Sequence, residues 1–348
     1  MNLKPIAITQ GDPSGIGPEI IAKAFRDAPG VTQGCFVVGD VAVMRQAFRF
    51  INSDSIGLPV AVIEGAADAM NVPPRCMAVL QAEAALGPFP TGEVSALAGR
   101  AAAQSIVWAS KAALRGEIAA MVTAPIHKEA LALAGAPYSS YPGHTEMLQA
   151  QTAEHLGQPI ESVPVRMMLA NDELRVVLVS IHLSLLQAIQ AVSPDNVLQT
   201  LRIAHASLTQ MLGGAPRIGV AGLNPHAGEG GLFGREEIEA IAPAIKAAQR
   251  EGIDAHGPYA PDTVFMRARS SPTHPGEFDV VVAMYHDQGL IPVKYLGVEK
   301  GVNVTLGLPF VRTSPDHGTA FDIAGTGRAD ASSLIEAIRV AKQIARYS

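Results

Sequence analysis

One alternation runs the length of this sequence: short apolar runs rich in β-branched residues, then longer alanine-rich segments. Ile6–Thr9, Cys35–Val38 and Ala119–Thr123 read as strands, and Ile218–Ala221 and Val280–Met284 are continuous apolar runs, as expected of strands buried on both faces. Arg166–Leu169 and Leu174–Ser180 read as two strands joined by a polar turn at Asn171-Asp172. Helical patterns fill Ala96–Arg115, Pro194–Leu212, Glu236–Arg250 and Ala331–Ala345. Ser193-Pro194 supplies a helix start, an N-cap followed by proline at the first helical position. Strand–helix alternation of this kind predicts an α/β protein with largely parallel sheets. At 348 residues the chain is long enough for two domains. No linker, repeat or low-complexity tract separates them, so the chain is expected to cross between them more than once.

Composition narrows the function. Hydrophobic residues at 48% and charged residues at 17% supply a core and exclude a disordered chain. Net charge is −6 with the signs interspersed, and no basic run is interleaved with aromatics, so nucleic acid is not the expected partner. No apolar stretch is long enough to span a membrane. No apolar leader precedes Gly11 after the opening Met1-Asn2-Leu3-Lys4-Pro5. Two cysteines, Cys35 and Cys76, are no disulfide framework and fit a reducing compartment. The cytoplasm is the expected location.

Open α/β sheets bind ligands beyond the carboxyl ends of their strands. Three histidines stand directly after apolar runs there. His182 follows Leu174–Ser180, His226 follows Ile218–Ala221, and His286 follows Val280–Met284. Three neutral imidazoles can hold a divalent metal with positions left open for substrate. The spacing matches no local metal signature, so three loop histidines with structural hydrogen bonds is the competing reading. The surroundings favour a site: Asn224-Pro225-His226-Ala227-Gly228-Glu229-Gly230-Gly231 is too glycine-rich for an ordinary helix entry, and Tyr285-His286-Asp287-Gln288-Gly289 is polar directly after a buried strand.

Other segments suit an anion. Gly11-Asp12-Pro13-Ser14-Gly15-Ile16-Gly17-Pro18-Glu19 follows the first strand and opens a helix, without the G-x-G-x-x-G fingerprint or the Lys-Ser/Thr ending of a P-loop. Its plainer reading is a tight strand-to-helix turn. Gly143-His144-Thr145-Glu146 is a second glycine-led turn, otherwise a helix start capped by Thr145. Lys294, Asn303 and Arg312 could clamp a phosphate, or could be a surface lysine and an arginine in an ion pair. Arg312–Gly325 is so rich in small and polar residues that it suggests backbone wrapped around a nucleotide rather than a core element. His127-Lys128 opens a helix and could line the site. His155, His205, His256 and His274 have no chemical neighbours, the cysteines lack a nearby base, and the serine-hydrolase elbow G-x-S-x-G is absent.

Taken together, the Gly11–Glu19, Gly143–Glu146, Gly222–Gly230, Tyr285–Gly289 and Gly301–Pro309 blocks resemble the 4-hydroxythreonine-4-phosphate dehydrogenases of pyridoxal phosphate synthesis. The match runs in order from residue 6 to about residue 340. His317–Gly325 is also similar to the nucleotide loop of isocitrate and isopropylmalate dehydrogenases. The resemblance implies their two-domain α/β fold, with largely parallel sheets and the active site in the interdomain cleft. Residues 1–140 with 305–348 would be the nucleotide-binding side, and 141–304 the metal, substrate and dimerisation side.

The resemblance also implies roles. His182, His226 and His286 would hold the metal, zinc by preference, with cobalt, magnesium or manganese as alternatives. His144, Thr145, Lys294, Asn303 and Arg312 would bind substrate and its phosphate. Arg312, Ser314, His317, Gly318, Thr319 and Asp322 would hold NAD or NADP. Family members are homodimers with the active site at the subunit interface and one metal ligand lent by the partner. Asp287 and Lys128 are the candidate proton acceptors. The reaction implied is oxidation of 4-phosphohydroxy-L-threonine to a 3-oxo acid that decarboxylates to 3-amino-2-oxopropyl phosphate.

The chain departs from the pattern in two places. It is longer than many members around Glu154–Pro164, and Pro292 sits one residue later than in some. A sister group with nearly the same motifs oxidises D-erythronate or D-threonate 4-phosphate. A third relative, acting on a dihydrodiol of an aromatic acid, lacks the His-Thr-Glu turn. Outside the dehydrogenases, the three-histidine site leaves a metal-dependent hydrolase, which gives Arg312–Gly325 no purpose, or a silent phosphometabolite-binding protein.

Overall fold

The computed structural model describes residues 4–51, 57–84, 87–297 and 300–346. The opening Met1-Asn2-Leu3 lies outside the described residues. The chain folds into two compact units, Met1–Pro164 with Leu308–Ala345, and Val165–Gly307 with Arg346–Ser348.

Six strands build the first unit: β1 (Ile6–Thr9), β2 (Cys35–Gly39), β3 (Val60–Ile63), β4 (Met77–Gln81), β5 (Ala120–Thr123) and, after the chain returns, β12 (Val311–Pro315). They lie in the order β3-β4-β2-β1-β5-β12, and every pairing is parallel. The helix Ala96–Leu114 covers this sheet with Ala102, Ala103, Ile106, Ala109 and Ala112, all buried. Alanine along that face lets backbones approach. Gly99 takes this to its limit, because a Cβ there would stand 2.0 Å from the Ala130 carbonyl oxygen of the neighbouring short helix Lys128–Leu133. Trp108 meets Phe36 of β2 edge-on at 5.9 Å.

The second unit holds β6 (Arg166–Ala170), β7 (Arg175–Leu178), β8 (Ile218–Ala221), β9 (Ala255–Tyr259), β10 (Val280–Ala283) and β11 (Val302–Leu306), in the order β11-β6-β7-β10-β8-β9. Pairings of β6 with β7 and β11 are antiparallel; β7, β10, β8 and β9 run parallel. Ser193 caps Pro194–Leu212 through the Asn196 N–H, as its sequence position requires.

The fold is α/β with largely parallel sheets, as expected. Two readings need correction. The first unit runs on to Pro164, beyond the boundary at 140, because the helix His144–Leu156 packs on Ala96–Leu114. Arg312 to Pro315 is not loop but the buried strand β12. Its polar side chains are tolerated because the fold pairs them: Thr313 Oγ1 donates to the Ala337 carbonyl at 2.8 Å, and Arg312 donates to Thr123. The strand β9 contains Gly257-Pro258, which only an edge position accommodates.

Candidate active site

At the carboxyl edge of the first unit, Thr9 and Thr123 close the adjacent parallel strands β1 and β5, and β12 lies beside β5. Arg312 reaches along this edge, donating from Nε and Nη2 to Thr123 Oγ1 at 3.2 and 2.6 Å. Burial lowers its pKa to about 10 against the opposing pull of Glu146, so the guanidinium stays charged at neutral pH. Beside it, His144 opens the helix His144–Leu156, whose N-cap is Gly143; Thr145 lies within the first turn and is not the cap. Burial first, and Arg312 second, push His144 well below its ordinary value, so the ring is neutral. Its Nε2 atom is buried with no hydrogen-bond partner among the described residues. A fixed guanidinium next to a neutral imidazole and a helix N-terminus is an arrangement that accepts an oxyanion.

The turn after β1 carries a feature that the sequence did not single out. Thr9 Oγ1, Gln10 Nε2, Asp12 Oδ2 and Ser14 Oγ are all buried without a hydrogen-bond partner among the described residues. Burial raises the Asp12 carboxyl to about 6, against the Ser14 N–H and His127. His127 caps its helix through the Ala130 N–H and stacks on Phe321 at 4.8 Å. The loop carrying Phe321 lies on the same turn, since Ile16 N–H donates to the Thr319 carbonyl at 3.0 Å. Gly15 makes this approach possible: a Cβ there would meet the Thr319 oxygen at 2.9 Å. Ser314 is buried on β12; along the loop that follows, Thr319 is buried, while His317, Gly318 and Asp322 are exposed, with open space above Gly318. The exposed trio with room over a glycine fits a dinucleotide.

In the second unit the three histidines follow three neighbouring parallel strands, β7, β10 and β8. His182 and His286 are 6.1 Å apart between ring centroids. Two imidazoles sharing one tetrahedral ion at metal–nitrogen distances of about 2.1 Å have centroids roughly 5.3 Å apart, so this pair stands wider than such an ion requires. His286 Nδ1–H donates to Asp287 at 2.7 Å, which leaves Nε2 for a ligand. His226 does not join them. Among the described residues, no three His, Cys, Asp or Glu side chains stand close enough to hold an ion.

His226 begins a run of left-handed backbone, with φ of 51°, 51°, 79°, 42° and 65° from His226 to Gly230. Each non-glycine residue so held costs about 1–2 kcal/mol. Glu237, nearly buried, fixes the turn: its carboxylate accepts from the Leu223 and Asn224 N–H groups at 2.7 Å each and from Asn224 Nδ2 at 3.0 Å. Gln288 ties the loop to β10, donating to the Gly222 carbonyl and accepting the Met284 N–H, both at 2.7 Å. Glu237 gave no sequence signal, because its partners are backbone groups fourteen and thirteen positions away.

Of the remaining expected residues, Lys294 is exposed near the end of the helix His286–Tyr295, and Asn303 lies on β11, both in the second unit. Lys128 is exposed at the head of its helix in the first unit.

Known proteins share this architecture. A 4-hydroxythreonine-4-phosphate dehydrogenase from Beijerinckia indica is 54% identical over 342 residues, covering 98% of this chain and 95% of its own. A D-threonate 4-phosphate dehydrogenase from Salmonella typhimurium is 43% identical, covering 99% of this chain and 100% of its own. Among solved structures, the Klebsiella pneumoniae 4-hydroxythreonine-4-phosphate dehydrogenase superposes with a TM-score of 0.85 at 41% identity, covering 98% of this chain and 99% of its own. A terephthalate 1,2-cis-dihydrodiol dehydrogenase from Burkholderia xenovorans reaches 0.64 at 31%, covering 98% of each chain. The family model described as pyridoxal phosphate biosynthetic protein PdxA matches residues 32–341, and with these relatives it shows that the chain belongs to the PdxA family.

Proposed function

We propose that this chain is a NAD-dependent, metal-assisted dehydrogenase that oxidises 4-phosphohydroxy-L-threonine, with decarboxylation to 3-amino-2-oxopropyl phosphate. The observation that carries the reading is the placing of His182, His286 and His226 on the carboxyl ends of three adjacent parallel strands. The 54% relative's name supports the amino-acid phosphate as substrate.

In this reading His182 and His286 of one subunit hold a divalent ion, with Asp287 fixing the His286 ring. The ion, zinc by preference, supplies a Lewis acid for the charge that develops on the substrate oxygen. Arg312, His144 and Thr145 bind the phosphate, with Lys294 and Asn303 completing the clamp; this remote binding fixes the reacting carbon. Asp287 and Lys128 are the candidate proton acceptors. His317, Gly318, Thr319 and Asp322, with Arg312 and Ser314 behind them, hold NAD, which supplies the hydride acceptor. An exposed Asp322 carboxylate suits a ribose 2′-hydroxyl and so favours NAD over NADP.

The protein acts as a homodimer. Large apolar side chains stand exposed around each histidine: Leu183 beside His182, Phe233 at 6.1 Å from His226, and Ile291 and Tyr295 on the helix that His286 opens. Exposed apolar groups on a site rim call for a covering surface. A second subunit that covers them brings the missing third imidazole to each ion. No described helix is long and apolar enough to cross a membrane, and both cysteines are free. Free thiols fit the cytoplasm.

D-Threonate or D-erythronate 4-phosphate is the second substrate reading, supported by the full-length relatives at 43% that carry the threonate name. NADH formation with the three phosphates, offered separately, tests the choice. The expected result is turnover highest with the amino-acid phosphate. Turnover confined to the sugar-acid phosphates overturns it in favour of the second reading.

A further inference from the structure

We propose that Glu19 and Lys23 form a positioning pair that sets the dinucleotide loop and thereby governs affinity for NAD without touching it. The inference rests on the reading of the loop after β12, to Gly325, as the NAD loop. Glu19 lies in the first turn of the helix Gly17–Asp27 and is 1% exposed. Its carboxylate accepts the Ala329 N–H at 2.8 Å and the Gly327 N–H at 3.3 Å. Lys23, one turn on, donates to Glu19 at 3.1 Å, to the Gly327 carbonyl at 2.7 Å and to the Ala329 carbonyl. One ion pair thus takes the N–H and the C=O of both residues, more than 300 positions away.

A buried ion pair is costly unless its remaining hydrogen-bonding capacity is filled. Here loop backbone fills it. The near end of the loop is pinned as well: Thr319 O accepts from Ile16 N–H, and Asp316 N–H donates to Ser333 Oγ at 3.2 Å. Between the two anchors stand the exposed His317, Gly318 and Asp322. Gly325 and Gly327 turn the chain with φ of 71° and 73° into the clamp. A loop held along its length with the side chains of its middle exposed is pre-organised, and its ligand is spared the ordering cost.

The test uses the metal-loaded full chain with Glu19→Gln, Lys23→Met and Lys23→Arg. NAD affinity is read by calorimetry, turnover by NADH formation, and loop order by amide hydrogen exchange over 316–329. Glu19→Gln and Lys23→Met are expected to raise the Kd and KM for NAD about tenfold. The kcat at saturating NAD and the KM for the phosphorylated substrate should stay within about twofold, with faster exchange across the loop. Lys23→Arg keeps a donor and should stay near wild type. Unchanged exchange in folded Lys23→Met overturns the clamp whatever NAD does. Faster exchange with unchanged NAD affinity overturns its role in cofactor binding. A wild-type protein that binds no NAD removes the loop's assignment, while the exchange result still decides the clamp.

Discussion

The carboxyl-terminal rims of the two units differ in how they are held. In the first, three features are placed from within the same unit: Arg312 on Thr123, His144 at a helix start, and the loop after β12 on the turn after β1. In the second, the three histidines stand on adjacent strands but do not meet, and the His226 turn is strained. Leu232 beside that turn is 73% exposed and Tyr295 is 90% exposed. The first rim is held by hydrogen bonds within its own unit, whereas the second leaves strained backbone and large apolar side chains exposed.

The comparison breaks most sharply at His226. Its side chain is exposed, so His226→Ala should leave the melting temperature nearly unchanged. Turnover should fall by roughly three orders of magnitude or more, because one ligand to the Lewis acid is gone. NADH assays beside a thermal melt read both; near-wild-type turnover would remove the metal reading.

A smaller, opposite effect is expected at Arg312. Arg312→Lys keeps a charge but loses the planar donor set that spans Thr123 and a phosphate. The KM for the phosphorylated substrate should rise by about 10- to 100-fold, with metal affinity unchanged. A KM within twofold of wild type would take Arg312 out of the phosphate clamp.

A third prediction concerns stability rather than turnover. The folded Asp12 carboxyl titrates at about 6, above its ordinary 3.8. Below about pH 4 it is protonated whether folded or not, and no cost arises. Between there and about 6 the folded chain keeps a proton that the unfolded chain releases, so stability falls as pH rises. Above about 6 the full cost stands, up to about 3 kcal/mol. Asp12→Asn should therefore raise stability at pH 7.5 and change little at pH 4, which denaturant unfolding at the two values measures. An equal change at both would assign the effect to packing.

Much of this was legible in the residues. The strands β8 and β10 declare themselves because burial on both faces leaves no polar position, and β1 and β5 depart from this only at their last residue, a threonine. The glycine-rich run at His226 announced irregular backbone, which only glycine-rich or strained sequence adopts. What stayed hidden depends on distant partners. Arg312-Thr313-Ser314 looks like loop until Thr123 and Ala337 are seen to satisfy it. Glu19 and Lys23 read as an ordinary helical i,i+4 pair, since their loop partners lie at the other end of the chain. The separation of His226 from the other two histidines could not be read either, because strand order leaves loop geometry open.

Chelation and re-addition of metal test the central claim most directly. Purified protein with NAD and 4-phosphohydroxy-L-threonine should form NADH, lose that activity on treatment with a chelator, and regain it with zinc or another divalent ion. NADH formation that persists unchanged in metal-free protein would contradict a histidine-held Lewis acid, and no NADH under any of these conditions would contradict the dehydrogenase reading itself.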